Sequence, residues 1–356
     1  MDSAGFQKLL AIVVYMAGII GIGVYFSKRA NKNSENFFLG GRSLGPWVAA
    51  FSAEASDMSG WLLMGIPGFL SLTSIATPLS GKTDAFAAAR PYGFFTILST
   101  MAWGLGYFGV PQVLVRFMAI RSESELKVSR RVAASWVVIS MLAAIFIGIS
   151  GRSISAINYV SNIASENIFT DTAALYLPAF LAGIAAAGVI AASISSSDSY
   201  LLISAGAFSQ SLCKGIFRKS ASPKEVMICS RATLCVVTII AMVIGWNSNS
   251  TIFAITSFAW AGLGAAFGPL MLFSLFHRNT TRLGAICGMV TGGIAVIIWK
   301  LRVKPLGGFF SMYELLPFFA LSCLVIFIVS KFTKDEHEKE MLEIFDKVRD
   351  AAADVI

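Results

Sequence analysis

Residues 52–60 have the sequence SAEASDMSG and lie in the middle of a hydrophobic stretch that is otherwise long enough to cross a bilayer. A carboxylate at membrane depth costs at least about 2.5 to 3.5 kcal/mol, so Asp57 is expected to face a partner, a cavity or an ion. Serine competes for backbone hydrogen bonds and glycine weakens a helix, so the helix is predicted to open here. Freed carbonyl oxygens beside a carboxylate are ligands that sodium binds. The alternative is that Asp57 is hydrogen-bonded to neighbouring helices for packing alone.

The composition indicates an integral membrane protein. Hydrophobic residues make up 56% of the chain and charged residues 13%, whereas a soluble domain carries about 25% charge. The net charge of +8 comes from basic residues in short connections between apolar runs, so it indicates membrane orientation and no nucleic-acid partner. The cysteines show no CxxC pairing, and free thiols are expected. His277 and His337 lie beside charged connections, which argues against a histidine-based site inside the membrane.

Hydrophobic runs of about 20 residues predict roughly nine membrane helices. Basic residues recur in alternate connections, which predicts a multi-pass protein of the cell membrane with the N-terminus outside and the C-terminus in the cytoplasm. The connection with Lys300, Arg302 and Lys304 is the local exception. Residues 333–356 predict a short cytoplasmic helix after a transmembrane core of residues 1–332. The predicted spans are residues 7–27, 45–71, 92–114, 131–150, 174–212, 227–246, 251–276, 282–300 and 312–331.

A second interrupted span contains residues 101–111, with the sequence MAWGLGYFGVP. Its glycines and proline make a regular helix costly, and Trp103 and Tyr107 share one face at a spacing of i, i+4. Aromatic side chains at a broken helix can form one wall of a pocket for a small solute. The alternative is a belt of aromatic residues at the lipid headgroups.

Two further segments carry small and polar residues. Residues 191–199, AASISSSDS, lie deep in the long fifth span, where the hydroxyls of Ser195 and Ser196 could complete a shell of sodium ligands with the opened second span. The alternative is serine-mediated helix packing, worth about 0.6 kcal/mol for each contact. Residues 260–269, WAGLGAAFGP, form a small-residue face that predicts close helix packing.

Together and in this order, these segments resemble the sodium/solute symporter family. The resemblance implies secondary active transport on an all-α, five-plus-five inverted-repeat fold, with sodium and a solute bound at mid-membrane between broken helices. It implies L-proline or a similar small solute as the partner, sodium as the co-transported ion and no organic cofactor. The matching residues are 39–46 (LGGRSLGP), 55–65 (ASDMSGWLLMG), 103–109 (WGLGYFG), Pro111, 116–118 (RFM), 259–262 (AWAG) and 264–269 (GAAFGP).

The resemblance also implies roles for individual residues. Asp57 would support sodium coupling, and Arg42 would lie at the cytoplasmic mouth of the transport path. The implied sodium ligands are the backbone oxygens of Ala55, Met58 and Ala192 and the hydroxyls of Ser195 and Ser196. The implied solute-binding residues are Ser59, Gly60, Trp103, Tyr107 and Pro111.

The chain departs from the family in length. Family members resemble one another over about thirteen spans. In this chain, residues 71–92 replace about four of the helices expected in the first repeat. An even number of missing helices leaves the orientation of later spans unchanged. We therefore expect a truncated symporter fold in which Asp57 is exposed to lipid and the wall of Trp103 and Tyr107 lacks an opposite side. Transport is expected to be poor or absent, as in a degenerate symporter remnant.

Two other functional classes are open. A membrane-embedded enzyme would need catalytic groups at membrane depth, where only Glu54, Asp57 and Asp198 are available. Carboxylates inside a membrane are more often ion sites, so transport is expected rather than catalysis. A sensor built on an inactive symporter core would ordinarily carry a cytoplasmic signalling domain, which the short tail after Lys331 does not favour.

Overall fold

The computed structural model describes residues 3–30, 34–67, 94–154, 162–246, 251–335 and 338–355. These residues form helices joined by short connections, with a single parallel β-bridge between Leu44 and Ile120. In this part of the chain, seven helices are long and apolar enough to cross a membrane. The prediction of an all-α, multi-pass membrane protein is therefore confirmed.

The helices agree with the predicted spans except where the sequence predicts breaks. The predicted spans 45–71 and 92–114 are divided into short helices. The span predicted at 174–212 begins only at Ala179, because a helix ends at Tyr176 and Pro178 precedes the next one. The other six predicted spans each correspond to one continuous helical span. The connection 71–92 lies outside the described residues, so the predicted loss of helices there stays a prediction. The main helices are α1 Ser3–Ala30, α2 Ser34–Leu39, α3 Pro46–Asp57, the π-helix α4 Trp61–Gly65, α5 Phe94–Met101, α6 Trp103–Gly106, α7 Pro111–Met118, α8 Leu126–Ile154, α9 Asn162–Ser165, α10 Ile168–Tyr176, α11 Ala179–Gly206, α12 Pro223–Gly245, α13 Ile252–Phe276, α14 Arg282–Ile298, α15 Leu315–Phe332 and α16 Glu338–Val355. The π-helices Ala207–Phe217 and Trp299–Val303 continue α11 and α14.

The chain divides into two compact units, the first of which comprises residues 1–89 and 115–253. In this first unit α1 packs along α11, α3 packs along α8, and α11 also contacts α3 and α12. The approach of α1 to α11 is close, since a Cβ atom at Gly183 would lie 2.8 Å from the Cα of Lys8. The broken second span is thus held between long membrane helices.

The second unit comprises residues 90–114 and 254–356, and its core surrounds Val110, Trp260 and Leu315. The small-residue face predicted at 260–269 packs there, since a Cβ atom at Gly264 would lie 2.8 Å from the Cα of Gly106. Helices α14 and α15 form the most extensive pair in this unit. The predicted packing role of the segment is confirmed.

A buried carboxylate accounts for the exception in the pattern of basic residues. Glu314 is 1% exposed, and its Oε2 lies 2.7 Å from the Nζ of Lys304. The Nζ of Lys300 lies 4.0 Å from Oε1 of the same side chain. Two of the three basic residues in this connection are therefore held by an internal ion pair.

The tail forms the helix α16 and is attached to the ends of the membrane helices in its unit. The guanidinium of Arg278 lies 2.8 Å from the carboxylate of Asp346. The backbone N–H of Arg282 donates to the Asp335 carboxylate at 2.8 Å. These contacts fix both the start of the tail and the middle of α16.

Glu166 holds the first turn of α13. Its side chain is 5% exposed, and its carboxylate oxygens accept the backbone N–H groups of Ile252 at 2.9 Å and Phe253 at 3.0 Å. Backbone N–H groups in the first turn of a helix have no partner within the helix, so a carboxylate that binds two of them stabilises the helix start.

Replacing Glu166 by glutamine is expected to lower the melting temperature of the purified protein by several degrees. The amide keeps one acceptor oxygen and points a donor at the other N–H group, and such a loss inside a protein costs about 1–3 kcal/mol. Thermal unfolding in detergent measures the effect. Glu123→Gln, at an exposed carboxylate, is the control, and equal melting temperatures for the two variants would contradict the prediction.

Candidate functional site

The second span opens where its sequence predicts. Helix α3 ends at Asp57 and the π-helix α4 begins at Trp61, with Met58 and Ser59 outside regular helix. The backbone N–H of Met58 closes α3 by donating to the Glu54 carbonyl at 2.7 Å. The indole N–H of Trp61 donates to the Asp57 carbonyl at 2.8 Å. The prediction of a break near Ser56–Gly60 is confirmed.

Helix α11 contacts the opened span at the residues that the family resemblance implies for sodium. Ser196 is 4% exposed, and its hydroxyl donates to the carbonyl oxygen of Ala55 at 3.5 Å. A largely apolar cavity of about 650 Å³ lies beside this contact. Its walls include Ala55, Met58, Ala192 and Ser195. The five implied sodium-binding residues therefore come together inside the first unit.

Asp57 is buried, with 5% of its surface exposed. The expectation that this residue faces lipid is wrong. The reason is that α3 packs against both α8 and α11, which cover its C-terminal turn. The carboxylate thus lies inside the protein, one residue from Met58 in the opened segment.

Ser59 and Gly60 lie at the same break. The Ser59 hydroxyl accepts the backbone N–H of Trp61 at 3.5 Å, and the Ser59 carbonyl accepts that of Leu62 at 3.0 Å. Gly60 is buried, and a Cβ atom there would lie 3.1 Å from the Ser193 hydroxyl oxygen. Gly60 therefore lets the opened chain approach α11 closely.

The sequence did not indicate a polar network whose two serines lie beside the implied sodium ligands. Arg116 in α7 donates from Nε to the Ser56 hydroxyl at 3.3 Å and from Nη2 to the Ser199 hydroxyl at 2.9 Å. The Ser199 hydroxyl also donates to the Ser56 hydroxyl at 2.8 Å. The sequence signal was a basic residue directly after an apolar broken span, which by itself indicates only membrane orientation.

The second unit contains an aromatic cluster around the other predicted break. The ring of Trp103 stacks on those of Trp260 and Tyr313, with centroids 5.5 Å and 5.9 Å away. Tyr107 meets the Trp260 ring edge-on at 4.8 Å. The indole N–H of Trp260 donates to the Trp103 carbonyl at 3.0 Å. Trp260 of α13 therefore packs directly on these rings, and the expectation that the wall of Trp103 and Tyr107 lacks an opposite side stays a prediction.

Tyr313 is fixed in this cluster by its hydroxyl, which donates to the Ser257 carbonyl at 3.0 Å. The aromatic cluster is therefore anchored through both Trp260 and Tyr313.

The predicted break near Gly104–Gly109 is confirmed, and Pro111 follows it. Helix α6 ends at Gly106, and Pro111 is the first residue of α7, where its missing N–H is tolerated. Trp103, Tyr107 and Pro111 all belong to the second unit, whereas Ser59 and Gly60 belong to the first. The implied solute-binding residues therefore fall in both units, three in the second and two in the first.

Arg42 lies in a left-handed turn before α3. The glycines at residues 40–41 have φ angles of 59° and 69°, and Arg42 itself has a φ angle of 49°. Leu44 then donates to the Ala119 carbonyl at 3.2 Å and accepts the backbone N–H of Arg121 at 3.1 Å. The loop that carries Arg42 is therefore attached to the chain that follows α7.

A comparison with known protein families gives one match that covers most of the chain. The sequence model of the Sodium:solute symporter family matches residues 37–79 and 77–292. The chain belongs to this family. The resemblance seen in the sequence is thereby confirmed, and the family is one of membrane transporters that couple a solute to sodium.

Two relatives are both named as sodium/proline symporters. A sodium/proline symporter 2 of Staphylococcus saprophyticus subsp. saprophyticus is 28% identical over 479 aligned residues, which cover 93% of this chain and 94% of the relative. A sodium/proline symporter of Staphylococcus aureus is 27% identical over 498 aligned residues, which cover 98% and 97%. The chain has 356 residues, so at least 123 of the 479 aligned positions have no counterpart in it.

A solved structure has a similar fold. It is the substrate-bound, outward-open state of a Na+-coupled sialic acid symporter, which superimposes with a TM-score of 0.67 at 17% sequence identity. The match covers 93% of this chain and 99% of that chain. At this identity the likeness establishes the symporter fold alone.

Proposed function

We propose that this chain binds sodium between the opened second span and α11, as part of a sodium/L-proline symporter site. The observation that carries the proposal is the separation of 3.5 Å between the Ser196 hydroxyl oxygen and the Ala55 carbonyl oxygen. Two oxygens that each lie about 2.4 Å from one hard cation, at a right angle, are about 3.4 Å apart. The observed pair is long for a hydrogen bond and has the spacing of two ligands that share an ion.

The surroundings of this pair support a cation there. The cavity beside it is largely apolar, so a positive charge needs nearby oxygens and a negative group to be stable. Ala192 and Ser195 line the same cavity from α11, and Met58 lines it from the opened span. Asp57 is the buried carboxylate next to Met58 and supplies the compensating charge for sodium coupling.

L-proline is the proposed solute. Two relatives at 27% and 28% identity are named sodium/proline symporters. Trp103 and Tyr107 present aromatic rings around Trp260, and aromatic faces bind an apolar ring together with an ammonium group. The family resemblance adds Pro111 beside these aromatic residues in the second unit, and Ser59 and Gly60 in the first unit, as proposed solute-binding residues.

The proposed orientation places the N-terminus outside the cell membrane and the C-terminus in the cytoplasm. The pattern of basic connections predicts that the loop of Arg42 and the chain after α7 lie on one side. The backbone hydrogen bonds between Leu44 and residues 119–121 support that arrangement, because they join these two connections. Arg42 is accordingly proposed to lie at the cytoplasmic mouth.

Replacing Ser196 by alanine is expected to weaken sodium binding at least about tenfold, a loss of about 1.4 kcal/mol. The variant removes one proposed ligand and leaves the Ala55 carbonyl without its observed partner. Binding of radioactive sodium to the purified full-length chain, with choline as the competing inert cation, measures the dissociation constant.

Ser197→Ala is the matched control for this experiment. The Ser197 hydroxyl is exposed and donates to the Ser193 carbonyl of its own helix at 2.8 Å, so its loss should leave sodium affinity unchanged. A wild-type chain that binds no sodium would refute the proposed function. Equal sodium affinity in Ser196→Ala and Ser197→Ala would remove Ser196 from the site.

A further inference from the structure

The polar network of Arg116, Ser56 and Ser199 has a defined direction. A guanidinium has donors and no acceptor, so both serine oxygens accept from Arg116. The Ser56 hydroxyl gives its own proton to the Ser52 carbonyl at 2.7 Å. The Ser199 hydroxyl gives its proton to the Ser56 oxygen or to the Ser195 carbonyl, which lie at 2.8 Å and 3.0 Å. The sequence of donors therefore begins at Arg116 and continues through the two serine hydroxyls into α3 and α11.

The network touches both sides of the proposed sodium site. Ser56 follows Ala55 directly in α3, and Ser199 lies one helical turn after Ser195 in α11. Ser56 and Ser199 are buried, and Arg116 is half-buried between them. The guanidinium thus joins the two chain segments whose oxygens are proposed to share the ion.

We propose that Arg116 is a positioning residue for sodium, which fixes the distance between the opened span and α11 through Ser56 and Ser199. This inference rests on the proposed sodium site and adds a residue outside the ligand set. Arg116 does not touch the ion. It acts by holding Ala55 and Ser196 at the spacing of two ligands of one cation.

The positive charge of Arg116 would weaken sodium binding, whereas its positioning role would strengthen it. A fixed cation near a sodium site repels the ion, so removing that charge alone would tighten sodium binding. Asp198 interacts electrostatically with Arg116 and offsets part of this repulsion. The sign of the change in affinity therefore separates a positioning role from a purely electrostatic one.

Sodium binding to Arg116→Gln, Ser199→Ala and the double variant tests the inference, using radioactive sodium and the purified full-length chain. Each single variant is expected to weaken binding at least about tenfold. The double variant is expected to bind about as weakly as either single variant, because both remove the same connection. Arg116→Lys, which keeps the positive charge but has a single donor nitrogen, should retain an intermediate affinity.

Two controls match these variants. Arg121→Gln removes an exposed guanidinium from the same region, where it is paired with Glu125 at 2.6 Å, and should leave sodium affinity unchanged. Ser197→Ala removes a hydroxyl from α11 that bonds only its own helix and should also be neutral. Melting temperatures in choline chloride separate loss of folding from loss of binding.

Unchanged or tighter sodium binding by Arg116→Gln would overturn the inference, and so would full additivity in the double variant. If Arg116→Gln does not fold, Ser199→Ala and Arg116→Lys decide the question by the same measurement. A wild-type chain that binds no sodium would refute the proposed site itself. A wild-type chain that binds sodium with Arg116 variants of equal affinity would refute only the role of Arg116.

Discussion

Replacing Gly109 by alanine is expected to prevent the protein from accumulating in folded form. A Cβ atom at this buried position would overlap the backbone nitrogen of Gly268 and would lie 2.6 Å from the carbonyl carbon of Phe267. Backbone atoms cannot turn aside as a flexible side chain can, so the two segments would have to separate. That separation would open the core around Val110 and Trp260, of which Trp260 is 2% exposed.

The expected cost is large compared with the stability of a folded protein. Overpacking costs about 1–3 kcal/mol where side chains can adjust, and more where backbone must move. Native proteins have only about 5–15 kcal/mol in total. Gly109→Ala should therefore appear mainly as aggregated material in size-exclusion chromatography of detergent extracts.

Gly104→Ala is the control, because it lies in the same broken span and a Cβ atom there meets nothing within 4 Å. Its added methyl group should leave the folded yield unchanged and can favour the helix slightly. A monodisperse Gly109→Ala protein with a normal yield would show that the contact with Gly268 relaxes at little cost.

The sequence predicts the breaks in this fold well because their causes are local. Serine and glycine at residues 52–60, and glycine with proline at residues 101–111, weaken a helix wherever they occur together. The long apolar helices are equally local features of length and composition. The positions of α3, α4, α6 and α7 could therefore be placed approximately from the chain alone.

The parts that the sequence did not predict depend on contacts between distant residues. The burial of Asp57 results from the packing of α3 against α8 and α11, which periodicity in one helix cannot indicate. The contact of Arg116 with Ser56 joins residues 60 positions apart in the sequence. Trp260 was assigned to packing, yet it also contacts Trp103 and Tyr107 across the second unit.

Sodium-driven uptake of L-proline by proteoliposomes that contain only this chain is expected to be at least about tenfold slower than by the Staphylococcus aureus sodium/proline symporter. Alternating access requires one repeat-based bundle to move against the other. The alignment with that symporter has 498 positions and this chain has 356 residues, so at least 142 positions have no counterpart here. This length supports the proposed loss of about four helices of the first repeat, at residues 71–92.

Sodium binding should persist in the same preparation. Ala55, Ser196 and the network of Arg116 all lie within the first unit, so the proposed ion site is complete in this chain. The combination of sodium binding with slow transport would locate the defect in movement between conformations. Failure of both measurements would instead contradict the proposed ion site.

The uptake experiment compares a sodium gradient with a choline gradient at equal protein content, with membrane insertion verified for each sample. Asp57→Ala is the companion variant, because its buried carboxylate is proposed to couple sodium to the solute. Fast uptake that disappears in Asp57→Ala would show that the shortened core is sufficient for transport. Such a result would require the contribution of the helices proposed to be lost to come from elsewhere, for example from a second copy of the chain. Cross-linking in the same proteoliposomes would then distinguish a transporting oligomer from a transporting monomer.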